Sequence, residues 1–142
     1  MSKVITFSRV FPAYHPRSGG STGFVDLILT GEKKHTIRSG NRWKVGDKFS
    51  PRIWIGRPRY TTQRIIADDK TVLKIWSFTR DLFAPKFYLN GHPVSEQLLS
   101  EIAANDGLKV DDFKEWFNKP FEGQIICWNE SVNYEQVEAE KA

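Results

Sequence analysis

Gly31-Glu32-Lys33-Lys34-His35-Thr36-Ile37-Arg38 is the stretch on which the fold turns. Before it runs Phe24-Val25-Asp26-Leu27-Ile28-Leu29, an apolar segment that predicts a helix closed by Gly31. After the joint, His35 to Arg38 predicts the start of a strand, on which Thr36 and Arg38 are two positions apart and face one side. Lys33 falls at the joint itself, where the helix dipole favours its ammonium. An amine, a hydroxyl and a fixed cation thus lie within six positions of one another, which makes this a candidate site.

Toward the N-terminus, Val4-Ile5-Thr6-Phe7 predicts a first strand, β-branched and aromatic. Ser8 to Thr22 is then a long ordered loop carrying Arg9, Tyr14 and Arg17, and loops of that length in a compact domain are often functional. Its Arg17-to-Gly23 run offers backbone N–H groups to an anion, although no Gly-Lys-Ser/Thr follows to make a Walker A motif. Toward the C-terminus, Gly46-Asp47 punctuates two strands between Trp43 and Phe49, and Arg52 to Ile55 leads to a hairpin tip at Gly56 to Tyr60. Gln63 to Ala67 returns, Asp68-Asp69 turns, and Thr71 to Phe78 forms one further strand. Asn90-Gly91 between Phe87–Leu89 and His92–Val94 is the strongest hairpin signal in the chain. Ser95 to Ala103 and Val110 to Phe117 carry one-sided apolar stripes and predict two helices; Gly123 to Trp128 is a closing strand. Six or more short strands with few helices give an α+β protein built on a small, strongly curved sheet or barrel.

The chain has 142 residues, 39% of them hydrophobic, with ten Phe and five Trp, enough for one domain with a sizeable core. No apolar run approaches the roughly 20 residues of a membrane span and no signal-peptide core is present, so no membrane partner is expected. Cys127 stands alone, which excludes an internal disulfide and fits a reducing, cytoplasmic setting. It reads as a core residue, and His15, His35 and His92 lack metal-ligand spacing, so neither metal nor cofactor is expected. The net charge of +4 divides into −3 on residues 130–142, where four Glu stand against Lys141, and therefore +7 on the rest. A basic body with many aromatics suits an anionic or nucleobase partner, and a solvated lysine surface accounts for it equally well.

The order of elements, with Gly31-x-Lys33-x-x-Thr36-x-Arg38, Val45-Gly46-Asp47 and a later helical pair with an acid at its turn, resembles the ASCH family, whose fold is a PUA-like β-barrel. Ile5-Thr6-Phe7 and the Thr36-Ile37-Arg38 ending are similar to the small bacterial members that act as N4-acetylcytidine amidohydrolases. The resemblance implies a small barrel with flanking helices over residues 1–130; the acidic residues that follow, 131–142, read as a flexible tail. The resemblance also implies catalytic roles for Lys33 and Thr36, and it places the third catalytic residue, a glutamate in the family, on Asp106, one methylene shorter. Amide hydrolysis needs a nucleophile, a proton carrier and oxyanion donors. Thr36 supplies the hydroxyl, Lys33 the base once neutral, and Asp106 a carboxyl to protonate the leaving nitrogen or to activate water. Arg38 orients the substrate or holds Asp106, and Arg9, Tyr14, Trp54 and Tyr60 are substrate-binding candidates, the aromatics by stacking on the base. The partner expected is a modified nucleoside or RNA. Two rivals stay open: an RNA-binding module without catalysis, and a metal-independent ribonuclease using Lys33 and Arg38 on phosphate.

Overall fold

A computed structural model describes residues 3–55, 62–81 and 86–134. Nine strands and three helices occur among them: β1 (Lys3–Thr6), α1 (Phe24–Thr30), β2 (His35–Ser39), β3 (Lys48–Ile55), β4 (Thr62–Ile65), β5 (Lys70–Thr71), β6 (Lys74–Arg80), β7 (Phe87–Leu89), β8 (His92–Pro93), α2 (Glu96–Asn105), α3 (Val110–Trp116) and β9 (Phe121–Cys127). The class is α+β, as the sequence predicts.

The strands form two sheets. In one, β3 is central, with β1 parallel on one edge and β4 and β5 antiparallel on the other; the second has the order β2-β9-β6-β7-β8. No ladder among the described residues closes these sheets into a single barrel. The edge strands β1 and β2 are joined by a side chain: Arg38 Nη2 donates to the Thr6 carbonyl at 2.7 Å. A second tie is the Gln124 side chain, which accepts from the Trp43 N–H and donates to the Trp43 carbonyl, both at 3.0 Å.

Local chemistry explains where the chain departs from a simple run of strands. Residues 43–47 form a turn and no strand, closed by the Gly46 N–H on the Val72 carbonyl at 2.8 Å, so β3 starts only at Lys48. The single strand expected over Thr71 to Phe78 is divided because the chain changes sheets there: Val72 is fully buried, and the Leu73 N–H bonds the Cys127 carbonyl at 2.8 Å. Asn90 and Gly91 adopt the positive φ values, 49° and 82°, that a tight β7–β8 hairpin requires. At the β2–β9 pairing a Cβ on Gly123 would lie 2.2 Å from the Arg38 carbonyl oxygen, so only glycine lets these strands meet.

α3 packs Phe113 and Phe117 onto Phe78, Phe87 and Phe121, an aromatic layer with ring centroids 4.9–6.0 Å apart. The loop over residues 8–22 is stapled to the same helix. Phe11 is buried, Arg17 pairs with Asp112, and the His15 Nε2–H donates to the Asp112 carbonyl at 3.0 Å. The first residues of the expected acidic tail belong to the fold, since Val132 and Tyr134 are 3% and 1% exposed. No helix among the described residues is long and apolar enough to cross a membrane.

Candidate active site

α1 closes as its sequence predicts, with Gly31 at φ 86° and its N–H on the Ile28 carbonyl. The joint that follows is held on three sides. The Lys33 N–H bonds the Leu27 carbonyl at 2.9 Å, the Lys34 N–H bonds the Asn105 carbonyl at 2.7 Å, and the Lys34 carbonyl accepts from the Trp128 N–H at 3.2 Å. α2 ends opposite this joint. Ser95 caps its start by accepting from the Leu98 N–H, and Gly107, at φ 86°, lets the Gly107 and Leu108 N–H groups bond the Ala104 and Ala103 carbonyls. That double bond pattern leaves the Asp106 carbonyl free for another donor.

Lys33 is that donor. Its Nζ lies 2.7 Å from the Asp106 carbonyl oxygen and 3.3 Å from Asp106 Oδ1, with the side chain 1% exposed. Asp106 Oδ1 also receives His35 Nδ1 at 3.2 Å, and His35 Nε2 lies 2.9 Å from the Tyr134 hydroxyl, which accepts from Asn105 Nδ2 at 2.9 Å. Burial pushes the His35 imidazole below its usual range and so keeps it neutral. With a carboxylate on one side, Nδ1 carries the proton, and Nε2 accepts from the Tyr134 O–H. Burial raises Tyr134, so its phenol keeps that proton. The result is a buried chain, Asn105–Tyr134–His35–Asp106, in which every link is satisfied; such networks fix one geometry because any broken link strands a buried polar group.

Burial also pushes the Lys33 ammonium down; the Asp106 carboxylate opposes this and the charge of Arg38 adds to it, with the net direction downward. Nζ sits 4.1 Å from the centroid of Phe24, whose ring face favours the charged form. Lys33, Thr36, Arg38 and Asp106 line one cavity of about 100 Å³ together with Ser8 and Trp116. The three catalytic candidates are therefore brought together, although Asp106 is 73 positions from Lys33. Thr36 is 5% exposed.

The substrate-binding candidates separate. Arg38, Arg9 and Trp54 line a second cavity of about 690 Å³ that shares Ser8 and Arg38 with the first. Tyr14 is half exposed and stands elsewhere, its hydroxyl donating to the Trp116 carbonyl at 2.7 Å. Tyr60 lies outside the described residues. The Arg17-to-Gly23 run does not present its amides to an anion: the N–H groups of Ser18, Gly19, Gly20 and Thr22 bond loop carbonyls, and that of Gly23 bonds the Ser21 hydroxyl. Arg38 does not hold Asp106 by a bidentate pair; its Nη2 goes to Thr6 and its Nε is buried without a partner. Cys127 is buried, and burial raises its thiol, which makes it a packing residue and a poor nucleophile. No group of three or more His, Cys, Asp or Glu side chains fit to hold a metal occurs among the described residues.

No family model matches the chain, and searches of the curated proteins and of the solved structures return no significant match.

His35 and Tyr134 are the site residues that sequence reasoning missed. The sequence places His35 at the start of a strand without metal-ligand spacing, and it places Tyr134 in the acidic tail. Val132-Asn133-Tyr134, an apolar–polar–aromatic alternation ahead of the acidic residues, is the signal that could have kept both buried side chains inside the domain.

Proposed function

We propose that this protein is an ASCH-type amidohydrolase of PUA-like descent that removes the acyl group from an N-acylated pyrimidine nucleoside, N4-acetylcytidine being the type substrate. The observation that carries it is the meeting of Lys33, Thr36 and Asp106 around one small cavity. A neutral lysine has two N–H donors, and Asp106 supplies two acceptors, its carbonyl and Oδ1. The remaining lone pair is what a general base needs.

In the proposed reaction Lys33 takes the proton from the Thr36 hydroxyl as Oγ1 attacks the acyl carbonyl. The tetrahedral intermediate collapses, the C–N bond breaks, and Lys33 returns its proton to the leaving exocyclic nitrogen, which leaves an acyl ester on Thr36. Asp106 then takes a proton from water as the water attacks the ester; the ester C–O bond breaks, Thr36 regains a proton from Asp106, and the carboxylic acid departs. Burial supports the first step by favouring uncharged Lys33, and the fixed charge of Arg38 beside the cavity supports the oxyanion.

The test is release of cytidine from N4-acetylcytidine by purified protein, beside Lys33→Ala and Thr36→Ala. Turnover that both substitutions reduce at least 100-fold is expected. A folded protein without turnover, whose affinity for RNA falls steeply with salt, would favour the RNA-binding reading instead.

A further inference from the structure

We propose that the larger cavity beside Lys33 is a phosphate-ester site, so that the molecule handled here is a nucleotide. The identity of the base end rests on the amidohydrolase reading; the charge of the ligand does not. The small cavity, about 100 Å³, has room for the acylamino head of a base and none for a sugar as well. The sugar and its substituents must extend into adjoining space, and the space that adjoins across Ser8 and Arg38 is the cavity of about 690 Å³. That volume lies within the roughly 300–1,000 Å³ usual for sites that enclose a small ligand.

Among the described residues its lining holds two guanidinium groups, Arg9 and Arg38, and no carboxylate. Neither forms an ion pair among the described residues, although the Asp106 carboxylate acts on Arg38 across the small cavity. Arg9 is exposed and its guanidinium has no ion pair among the described residues, whereas Lys3, Arg17 and Lys114 each pair with an acid. Arg38 is largely buried, donates only to a neutral carbonyl through Nη2, and keeps a buried Nε with no partner. An uncharged nucleoside would leave the Arg9 charge uncompensated and Arg38 with only the Asp106 carboxylate across the small cavity. A phosphate ester compensates both guanidinium groups and can take the paired N–H donors of a guanidinium. Trp54, 42% exposed on the cavity wall, offers a ring face to the sugar or to a following base.

Calorimetric titration of the full chain and of Arg9→Gln with cytidine, cytidine 5′-monophosphate and cytidine 3′-monophosphate tests this, with thermal unfolding to confirm that the variant is folded. At least one monophosphate is expected to bind tenfold or more tightly than cytidine, with the advantage lost in Arg9→Gln and reduced at high salt. A short cytidine oligonucleotide that binds more tightly still would assign the phosphate to RNA; one that binds no better than the monophosphate would assign it to a free nucleotide. Equal affinity for cytidine and both monophosphates, or an advantage that survives Arg9→Gln, overturns the proposal. Hydrolysis of N4-acetylcytidine without any phosphate preference would contradict the phosphate site alone. Phosphate-dependent binding without hydrolysis would contradict the amidohydrolase alone.

Discussion

Asp106 Oδ1 takes hydrogen bonds from both Lys33 and His35, so the carboxylate is held from two directions inside a site where Lys33 is 1% exposed. Asp106→Asn keeps the shape and removes the carboxylate that the proposed mechanism uses to take a proton from water. It is expected to lower cytidine release by at least 100-fold and stability by about 1–3 kcal/mol, the usual cost of a buried donor left unsatisfied, read from kcat and from denaturant unfolding. His35 gives a separate, pH-dependent signal. Its folded pKa lies below the ordinary 6.5, so as pH falls below that value the unfolded chain gains a proton that the folded chain does not. Stability therefore falls with acidification below pH 6.5 and is fully recovered above it, with a slope of at most about 1.4 kcal/mol per pH unit from this group. His35→Gln should be less stable at neutral pH and should flatten that slope; a variant as pH-sensitive as the parent would show that His35 is not the source. At this scale the sequence made Lys33, Thr36 and Arg38 legible, because helix closure and strand alternation are local rules. The role proposed for Asp106 comes only from resemblance, since before Gly107 an aspartate is an ordinary turn residue. The His35–Tyr134 bond spans 99 positions and has no local signature.

The C-terminus of α2 and the joint between α1 and β2 form one unit, tied by the Lys34 N–H to the Asn105 carbonyl and by Lys33 to Asp106. Gly107 sits between them at φ 86°, where a Cβ would come 3.1 Å from Leu27 Cδ1 and 3.5 Å from Lys33 Cβ. Gly107→Ala combines a left-handed backbone, worth roughly 1–2 kcal/mol against any L side chain, with pressure on Lys33. It should lower the melting temperature and also cytidine release measured below that temperature, whereas Gly40→Ala, with a similar φ and open space, should lower only the former. Helix ends, the Asn90-Gly91 hairpin and the closing strand were readable from turn and cap chemistry. The division between β5 and β6 was not, because the apolar alternation from Thr71 to Phe78 runs on while the chain passes from one sheet to the other at Val72.

Across the whole molecule the two sheets leave β1 and β2 facing without a ladder, and the Lys33 cavity lies beside that seam, where Arg38 reaches across to Thr6. The fold class followed from counting short strands, and the seam did not, since which edges pair depends on contacts far apart in sequence. The domain also extends past Glu130 to bury Val132 and Tyr134. A chain ending at Glu130 should lose several kcal/mol, in line with the roughly 2–5 kcal/mol of each large side chain removed from a core, and should unfold at lower denaturant. The most direct test of the account is the rate of cytidine release from N4-acetylcytidine as a function of pH. The account predicts a rate that rises with pH through a group titrating below the ordinary lysine range, and a rise that is absent in Lys33→Ala. No release at any pH, or the same profile in Lys33→Ala, would contradict it.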